Sequence, residues 1–424
     1  MSRFIVSPKA SSWVEVPQGS HFPIQNLPLC IFAHANADEP VLGTRIGDKL
    51  IDLGALMDLE LLSGPEDEDE AAEFYEFGYL DPRVFRQVRK GLYDILRVDN
   101  PKLRDDKSAK KEVFVDLADA DVLLPAEVRA FVDFYSGIHH ASNVGRMFRP
   151  DQPPLLPNYR HLPIGYNGRA SSLVVDGASI RRPNVQTKGP NDELPSFGPT
   201  RELDFELELG FFVGMGTNMG EAIPIGDCEE LISGVVLVND WSARDTQRWE
   251  YQPLGPFLAK SFATSVSPYL VSLDALEPFR VNGMPQEPAV LPHLRAPKAS
   301  HYDIELEVSI QSPSMKQPQV ICRSNAKNLY WSFVQQLAHQ SSNGTPLETG
   351  DLYATGTISG EAEGTFGSML ELTWRGSKPI VLSETGEERT FLEDGDVVTM
   401  TGWAQGEGYR VGLGTVSGRV EPAS

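Results

Sequence analysis

Leu203-Asp204-Phe205-Glu206-Leu207-Glu208-Leu209 carries the clearest periodic signal in the chain, and its reading decides the fold. Side chains on a strand alternate faces with a period of two. Leu203, Phe205, Leu207 and Leu209 therefore share one face, and Asp204, Glu206 and Glu208 share the other. Acids aligned on one strand face repel one another unless water or a cation screens them. Either this is a solvent-facing strand of an antiparallel sheet, or it delivers carboxylates to a site.

Downstream, Asp227 and Glu230 read as a capping box for a short helix closed by Gly234. Val235-Val236-Leu237-Val238 is an unbroken apolar run that predicts a buried strand, and it ends in Asn239-Asp240. A dense polar and aromatic set follows: Trp241, Arg244, Asp245, Gln247, Arg248, Trp249, Glu250 and Tyr251. Gly255-Pro256 then turns the chain toward Lys260. A buried strand that ends in a carboxylate and a polar loop is a common way to present chemistry. The plainer alternative is a solvated loop anchored by Trp241 and Trp249, with Arg244 paired to Asp245. Beyond Lys260, residues 302–310 alternate again and residues 326–340 predict a helix with Leu329, Phe333, Val334 and Leu337 on one face. Residues 352–420 read as short strands separated by glycines. The glycines at 214, 216 and 220 imitate a dinucleotide loop, but their spacing is wrong and Pro224 stands where a helix should open.

Upstream, Asp133-Phe134-Tyr135-Ser136-Gly137-Ile138-His139-His140, then Asn143, Arg146 and Arg149, gather polar groups in one short segment. Residues 1–124 differ in character. Short strand signals around Leu29, Val41 and Leu50 surround a Gly47-Asp48 hairpin turn, and residues 73–103 become helical through Val84, Val88, Leu92, Ile95 and Leu96. This division predicts a small β-rich domain with a helical linker over 1–124 and a site-bearing domain over 125–424. Many short strands with sparse helices indicate a mainly β, α+β chain with a closed or rolled sheet, not βαβ units.

A length of 424 residues suits two or three domains. The formal charge of -22 argues against nucleic acid, although a local Arg/Lys cluster can still receive a small acid. The acidic run over 66–70 reads as a solvated loop, lacking the glycine and spacing of a calcium loop. Cys30, Cys228 and Cys322 form no CxxC pair, which predicts neither a disulfide framework nor structural zinc and favours a reducing compartment. With no apolar signal or membrane-length run, the expected location is cytoplasmic. Asn343-Gly344-Thr345 reads as a turn.

Asp133, Glu206, Glu208 and Asp240 come from three separate segments. If they converge, they form an oxygen-only site that favours magnesium or calcium over zinc and folds poorly without a cation. Such an ion acts as a Lewis acid on a carbonyl oxygen.

Ordered blocks extend these readings along the whole chain: FPIQNLP from Phe22, DFYS from Asp133, NVG and MFR up to Arg149, LPIGYNGRASS, DFELE, NDWSARD, QPLGPFLAKSF, ATGTISG, FGSMLEL and GYRVG. In these the chain resembles the fumarylacetoacetase family, hydrolases that split 4-fumarylacetoacetate in the last step of tyrosine and phenylalanine breakdown. The resemblance implies an N-terminal SH3-like barrel and a C-terminal mixed β-roll that carries the site and dimerises. It implies calcium on Asp133, Glu206, Glu208 and Asp240, and a magnesium-type site at Lys260 and Thr264 beside Asp240. Tyr135, Arg149, Tyr166, Gln247, Tyr251 and Thr357 match substrate-contacting positions for a diketo-dicarboxylate. His140, not His139, matches the catalytic histidine, with Glu371 as its partner. Arg244, Gln247 and Lys260 are suited to stabilise an oxyanion and a departing carbanion. Asn167 and the Gly137-Ile138-His139 stretch depart from the family's pattern. An acylpyruvate hydrolase or decarboxylase of the same superfamily, and a non-catalytic metal-binding scaffold, are the alternatives.

Overall fold

The run Val235-Val236-Leu237-Val238 is apolar on both sides because both sides are covered. It lies in the strand Ile232–Asp240, every residue of which is buried. In the computed structural model, which describes residues 3–424 apart from Asn36, Pro65, Glu66 and Lys298, this strand runs through an eight-stranded mixed sheet. The order across that sheet is Gly165–Asn167, Phe131–Phe134, Leu352–Ala354, Leu207–Val213, Ile232–Asp240, Thr264–Val266, Leu173–Val175, with Val271–Ser272 pairing Ile232–Asp240 as well. Val235 and Leu237 join a core shared with a second sheet of Gln319–Asn325, Glu305–Gln311, Val397–Gln405, Arg410–Glu421 and Ile180–Arg181. Val236 and Val238 point the other way, into a core shared with N-terminal residues such as Leu29, Leu80 and Leu92. Two sheets face to face over one core give a rolled β architecture. At Gly418 a Cβ would lie 2.7 Å from the Trp241 ring, so glycine lets the fully buried indole fit between the sheets.

The N-terminal part forms a curled half-barrel of five strands, in the order Phe114–Asp116, Lys49–Asp52, Val41–Ile46, Leu29–His34, Ala120–Val122. The expected helices lie between Lys49–Asp52 and Phe114–Asp116, so they interrupt this sheet instead of trailing it as a linker. The main one, Pro82–Leu96, starts with proline where no helical N–H partner is needed, and Asp81 caps it. It buries Val88, Leu92, Ile95 and Leu96, as their spacing predicts. From it Arg86 Nε reaches across to Asp274 Oδ2 at 2.7 Å.

Several local expectations change. The acidic run is not a loop: Asp67 caps the helix Glu68–Glu76, placing acids at the positive end of its dipole; Glu66 lies outside the described residues. Asp227 makes no side-chain cap, Cys228–Leu231 is one 3₁₀ turn, and Gly234 sits inside the following strand. The helix predicted over 326–340 starts only at Phe333, because Ser332 and Gln335 form its capping box. Trp241 is fully buried, whereas Trp249 is 43% exposed and is held at the surface by its indole N–H, which donates to Gln186 Oε1 at 2.9 Å. Asn343 does close a turn, accepting from Thr345 N with Gly344 at φ +85. The three cysteines are free and buried. Among the described residues no helix is long and apolar enough to cross a membrane.

The opening run is not one continuous strand. Leu203–Asp204 pairs with Ser242–Ala243, whereas Leu207–Val213 pairs with Ile232–Asp240 and Leu352–Ala354. All three acids are buried, which rules out the solvent-facing alternative.

Candidate active site

Neighbouring strands bring the acids together at one rim of the large sheet. Register places Asp133 opposite Ala354 and Tyr166, and Asp240 opposite Thr264. Glu208 lies in Leu207–Val213 opposite Val238, and Glu206 just precedes that strand, its amide donating to Asn239 Oδ1 at 3.1 Å. Asp133, Glu206, Glu208 and Asp240 thereby each offer an oxygen within 4.8 Å of the others. Lys260 Nζ donates to Glu206 Oε2 and to Asp240 Oδ2, both at 2.6 Å. Thr264 Oγ1 donates to Asp240 Oδ1 at 2.5 Å, and the Tyr166 hydroxyl to Asp240 Oδ2 at 3.0 Å. The Gly356 amide donates to Glu208 Oε2 at 3.1 Å.

This charge is not balanced by the protein. Burial, then the neighbouring carboxylates, push the Asp133 and Glu208 carboxyls well above the ordinary range. Glu206 goes the other way: burial opposes its charge, but Lys260 and Arg244 outweigh it and hold the carboxylate well below the usual range. Burial likewise works against the Lys260 ammonium, yet Asp240 and Glu206 strengthen its hold on the proton. Asp133 Oδ1 and Glu208 Oε1 are buried without a hydrogen-bond partner. Unpaired oxygens in a ring of acids, with no sulfur or imidazole, suit a hard divalent cation.

Beside the acids, the helix Ile138–Phe148 carries His140, and the short helix Met369–Leu372 carries Glu371. His140 Nδ1 lies 2.6 Å from Glu371 Oε2, both residues being buried. Asn143 Nδ2 donates to Glu371 Oε1 at 2.9 Å, and Ser359 and Ser368 hydroxyls donate to Oε2 at 2.8 and 2.9 Å. Burial alone would raise the Glu371 carboxyl, but His140 and these donors hold it below its ordinary value. A carboxylate fixed in this way accepts Nδ1–H and leaves Nε2 as the basic nitrogen. Tyr135 packs edge-on to the imidazole, with centroids 5.4 Å apart.

Both sets open onto a cavity of about 590 Å³. Asp133, Tyr135, His140, Arg149, Tyr166, Glu206, Arg244, Gln247, Tyr251 and Lys260 line it. Glu208, Asp240, Thr264, Thr357 and Glu371 stand behind that wall, Thr357 with an unpaired buried hydroxyl. Arg244 does not pair with Asp245. Its Nε donates to Asp204 Oδ2 at 2.8 Å and its Nη1 lies 2.6 Å from Glu206 Oε1. Arg149 donates to the Pro154 carbonyl at 3.2 Å, its Nε is buried without a hydrogen-bond partner, and no ion pair to a carboxylate is seen for it among the described residues. Asn167 is exposed and does not line the cavity, so that departure lies outside its wall. At Gly137 a Cβ would come within 2.3 Å of the Thr357 carbonyl oxygen, so this departure leaves room for close backbone packing.

Ser359 and Ser368 carry no signal of their own in the sequence, and Asn143 and Asp204 stand out there only as polar members of their segments, without a role. The two serines sit inside the ATGTISG and FGSMLEL blocks, but nothing in one dimension aims two hydroxyls at one carboxylate.

Gly356 joins the acid cluster to the fold. Its φ is +75, and a Cβ there would come within 2.1 Å of the Phe134 carbonyl oxygen. Gly356→Ala therefore combines left-handed strain with a backbone clash and should destabilise by about 3 kcal/mol or more. Thermal unfolding against wild type measures this, and an unchanged Tm would contradict it.

The chain matches two family models in sequence: "Fumarylacetoacetase N-terminal" over residues 25–125 and "Fumarylacetoacetate (FAA) hydrolase C-terminal" over 129–421. It is 48% identical over 417 residues to fumarylacetoacetase of Mus musculus, covering 97% of this chain and 99% of that one. It is 47% identical over 415 residues to fumarylacetoacetase of Homo sapiens, again covering 97% and 99%. Among solved structures, one of Cg1458 with inhibitor superposes at a TM-score of 0.53, at 13% identity over 94% of this chain and 100% of that one; this likeness is one of fold alone. With both matched models and near-complete coverage of relatives at almost half identity, the chain belongs to the fumarylacetoacetase family of hydrolases.

Proposed function

We propose that this hydrolase cleaves the carbon–carbon bond of 4-fumarylacetoacetate to give fumarate and acetoacetate. The observation that carries this reading is the His140–Glu371 pair opening onto the same cavity as the four-carboxylate cluster. A 1,3-diketone needs a base for water at one carbonyl and a sink for the electrons leaving toward the other, and these two sets supply both.

His140, oriented by Glu371, takes a proton from water through Nε2 as the hydroxyl adds to the fumaryl carbonyl. Arg244 and Lys260, at the cavity wall, stabilise the alkoxide that forms, with Gln247 beside Arg244 at 3.1 Å. The carbon–carbon bond then breaks, its electron pair leaves as the acetoacetate enolate, and the imidazolium returns its proton to that carbon. Arg149 carries a charge that no protein carboxylate claims among the described residues and a buried Nε without a partner, so it suits a substrate carboxylate, with Tyr135, Tyr166 and Tyr251 completing the wall and Thr357 behind it. Asp133, Glu206, Glu208 and Asp240 would hold calcium, and Lys260 and Thr264 mark the magnesium-type position beside Asp240. When bound, such a cation supplies Lewis-acid polarisation of the diketone oxygens.

We further infer a cytoplasmic homodimer. Its support is the set of free buried cysteines and the exposed Leu254, Phe257 and Leu258 at 95%, 68% and 54% on the loop that borders the cavity.

The test is product identity. Incubation with 4-fumarylacetoacetate should release fumarate and acetoacetate in equal amounts, read by proton NMR, at a rate far above that with a simple acylpyruvate. Preference for the acylpyruvate would replace this substrate by the superfamily alternative. Glu371→Gln offers an amide where Nδ1–H needs an acceptor, favouring the wrong tautomer. It should lower kcat by ~10²-fold or more with KM little changed, in steady-state kinetics.

A further inference from the structure

Asp204 is the acid of the opening run that the mechanism above leaves unused. Its carboxylate is fully buried and receives four donors. Phe205 N and Met369 N reach Oδ1 at 2.8 and 2.7 Å. Arg244 Nε and Leu370 N reach Oδ2 at 2.8 and 3.0 Å. These donors belong to the two halves of the site. Arg244 continues through Nη1 to Glu206 and keeps a buried, unpartnered Nη2 at the cavity wall. Met369 and Leu370 open the turn Met369–Leu372, whose next residue, Glu371, holds His140.

We propose that Asp204 is a positioning residue for the hydrolytic reaction, fixing at once the Arg244 fork against Glu206 and the helical turn that presents Glu371 to His140. The proposal rests on the reading of His140, Glu371 and Arg244 as the working groups. The physical reason lies in the donor count. A carboxylate is acceptor-only and can take both donor pairs. An amide of the same shape can accept one pair only, and must turn its NH₂ toward the other. Asp204→Asn thus preserves volume while releasing either Arg244 Nε together with Leu370 N or Phe205 N together with Met369 N, so one amide of the helical turn is lost in either orientation. Arginine holds its geometry only while its fork is engaged, so a freed Nε lets the guanidinium leave the position that faces the developing oxyanion.

The experiment measures steady-state kinetics of full-length wild type, Asp204→Asn, Arg244→Lys and the double variant with 4-fumarylacetoacetate and divalent cation present. We expect Asp204→Asn to lower kcat by ~10–100-fold with KM within about threefold, the range seen when a supporting partner is lost. In the double variant the defect should be smaller than the product of the two single ones, because Arg244→Lys has already removed the Arg244 arm and Asp204→Asn can then cost only the Glu371 arm. A folded Asp204→Asn with kcat within threefold of wild type overturns the proposal. So does a double variant whose defect is the product of the two single ones. If Asp204→Asn does not fold, Asp204→Ser, which admits water, carries the same expectations and the same contradictions. Active wild type and dead His140→Ala alongside a normal Asp204→Asn would overturn this proposal alone. Wild type without turnover would overturn the underlying reading together with it.

Discussion

His140→Ala should lower kcat by ~10³-fold or more while KM stays within a few fold. The expectation follows from where the imidazole stands. It lines the cavity, it is 3% exposed, and Glu371 holds its Nδ1 at 2.6 Å. Alanine removes the only buried imidazole facing the acid cluster among the described residues, and of the groups that suit the substrate it removes a ring contact of Tyr135 alone, leaving Arg149, Tyr166 and Tyr251 in place. The loss therefore falls on the proton transfers and not on binding. The neighbouring His139 provides the control. It is half-buried, does not line the cavity, and makes no contact with Glu371 of the kind His140 makes. His139→Ala should keep kcat within about threefold of wild type, since it takes away no group that faces the cavity. Steady-state kinetics on the two variants separates them. Equal turnover by His140→Ala and wild type would remove the general base from the account.

The second large effect concerns the acids. Glu208→Gln should weaken divalent-cation binding by ~10²-fold or more, because Glu208 Oε1 is a buried oxygen with no other partner. The same substitution should leave the cation-free protein at least as stable as cation-free wild type, since it removes one of several mutually repelling buried charges. Opposite signs in the two states are the signature of a ligand, and a purely structural carboxylate would destabilise both. Titration calorimetry and thermal unfolding, each with and without cation, read the pair of effects. The pH dependence has a defined sign. Asp133 and Glu208 hold their protons well above the ordinary carboxylate range, through burial and then neighbouring acids. Protons therefore compete with the cation, and its affinity should fall as pH is lowered toward that ordinary range. An affinity that rises on acidification would contradict the assignment.

Much of this site could be read from one dimension, and the exceptions have physical causes. Period-two alternation correctly grouped Glu206 with Glu208, and the apolar run at 235–238 correctly gave a buried strand. Alternation cannot distinguish a solvent-facing row of acids from a row that faces a buried site, because both call for polar residues. That is why the run leaves both readings of Asp204 open, and only the fold shows it fully buried. Arg244 has Asp245 beside it in sequence, but the pairing of Leu203–Asp204 with Ser242–Ala243 brings Asp204 closer in space. Convergence of Asp133 with the other acids depends on the parallel pairing of Phe131–Phe134 with Leu352–Ala354, a contact between segments more than two hundred residues apart. No local pattern encodes such a pairing, and only the ordered family blocks made the four acids legible as one set. The helix over 326–340 failed for a different reason. Leu329 continues an apolar period, but the Ser332–Gln335 capping box stops helical backbone from extending back to it.

The central claim is that the His140–Glu371 pair and the four-carboxylate cluster together hydrolyse a 1,3-diketone. Its most direct test follows the loss of 4-fumarylacetoacetate absorbance with wild-type protein treated with chelator, before and after calcium or magnesium is restored. The account predicts turnover that nearly disappears on chelation and returns with the cation. Full turnover by protein shown by elemental analysis to be free of divalent cation would contradict it.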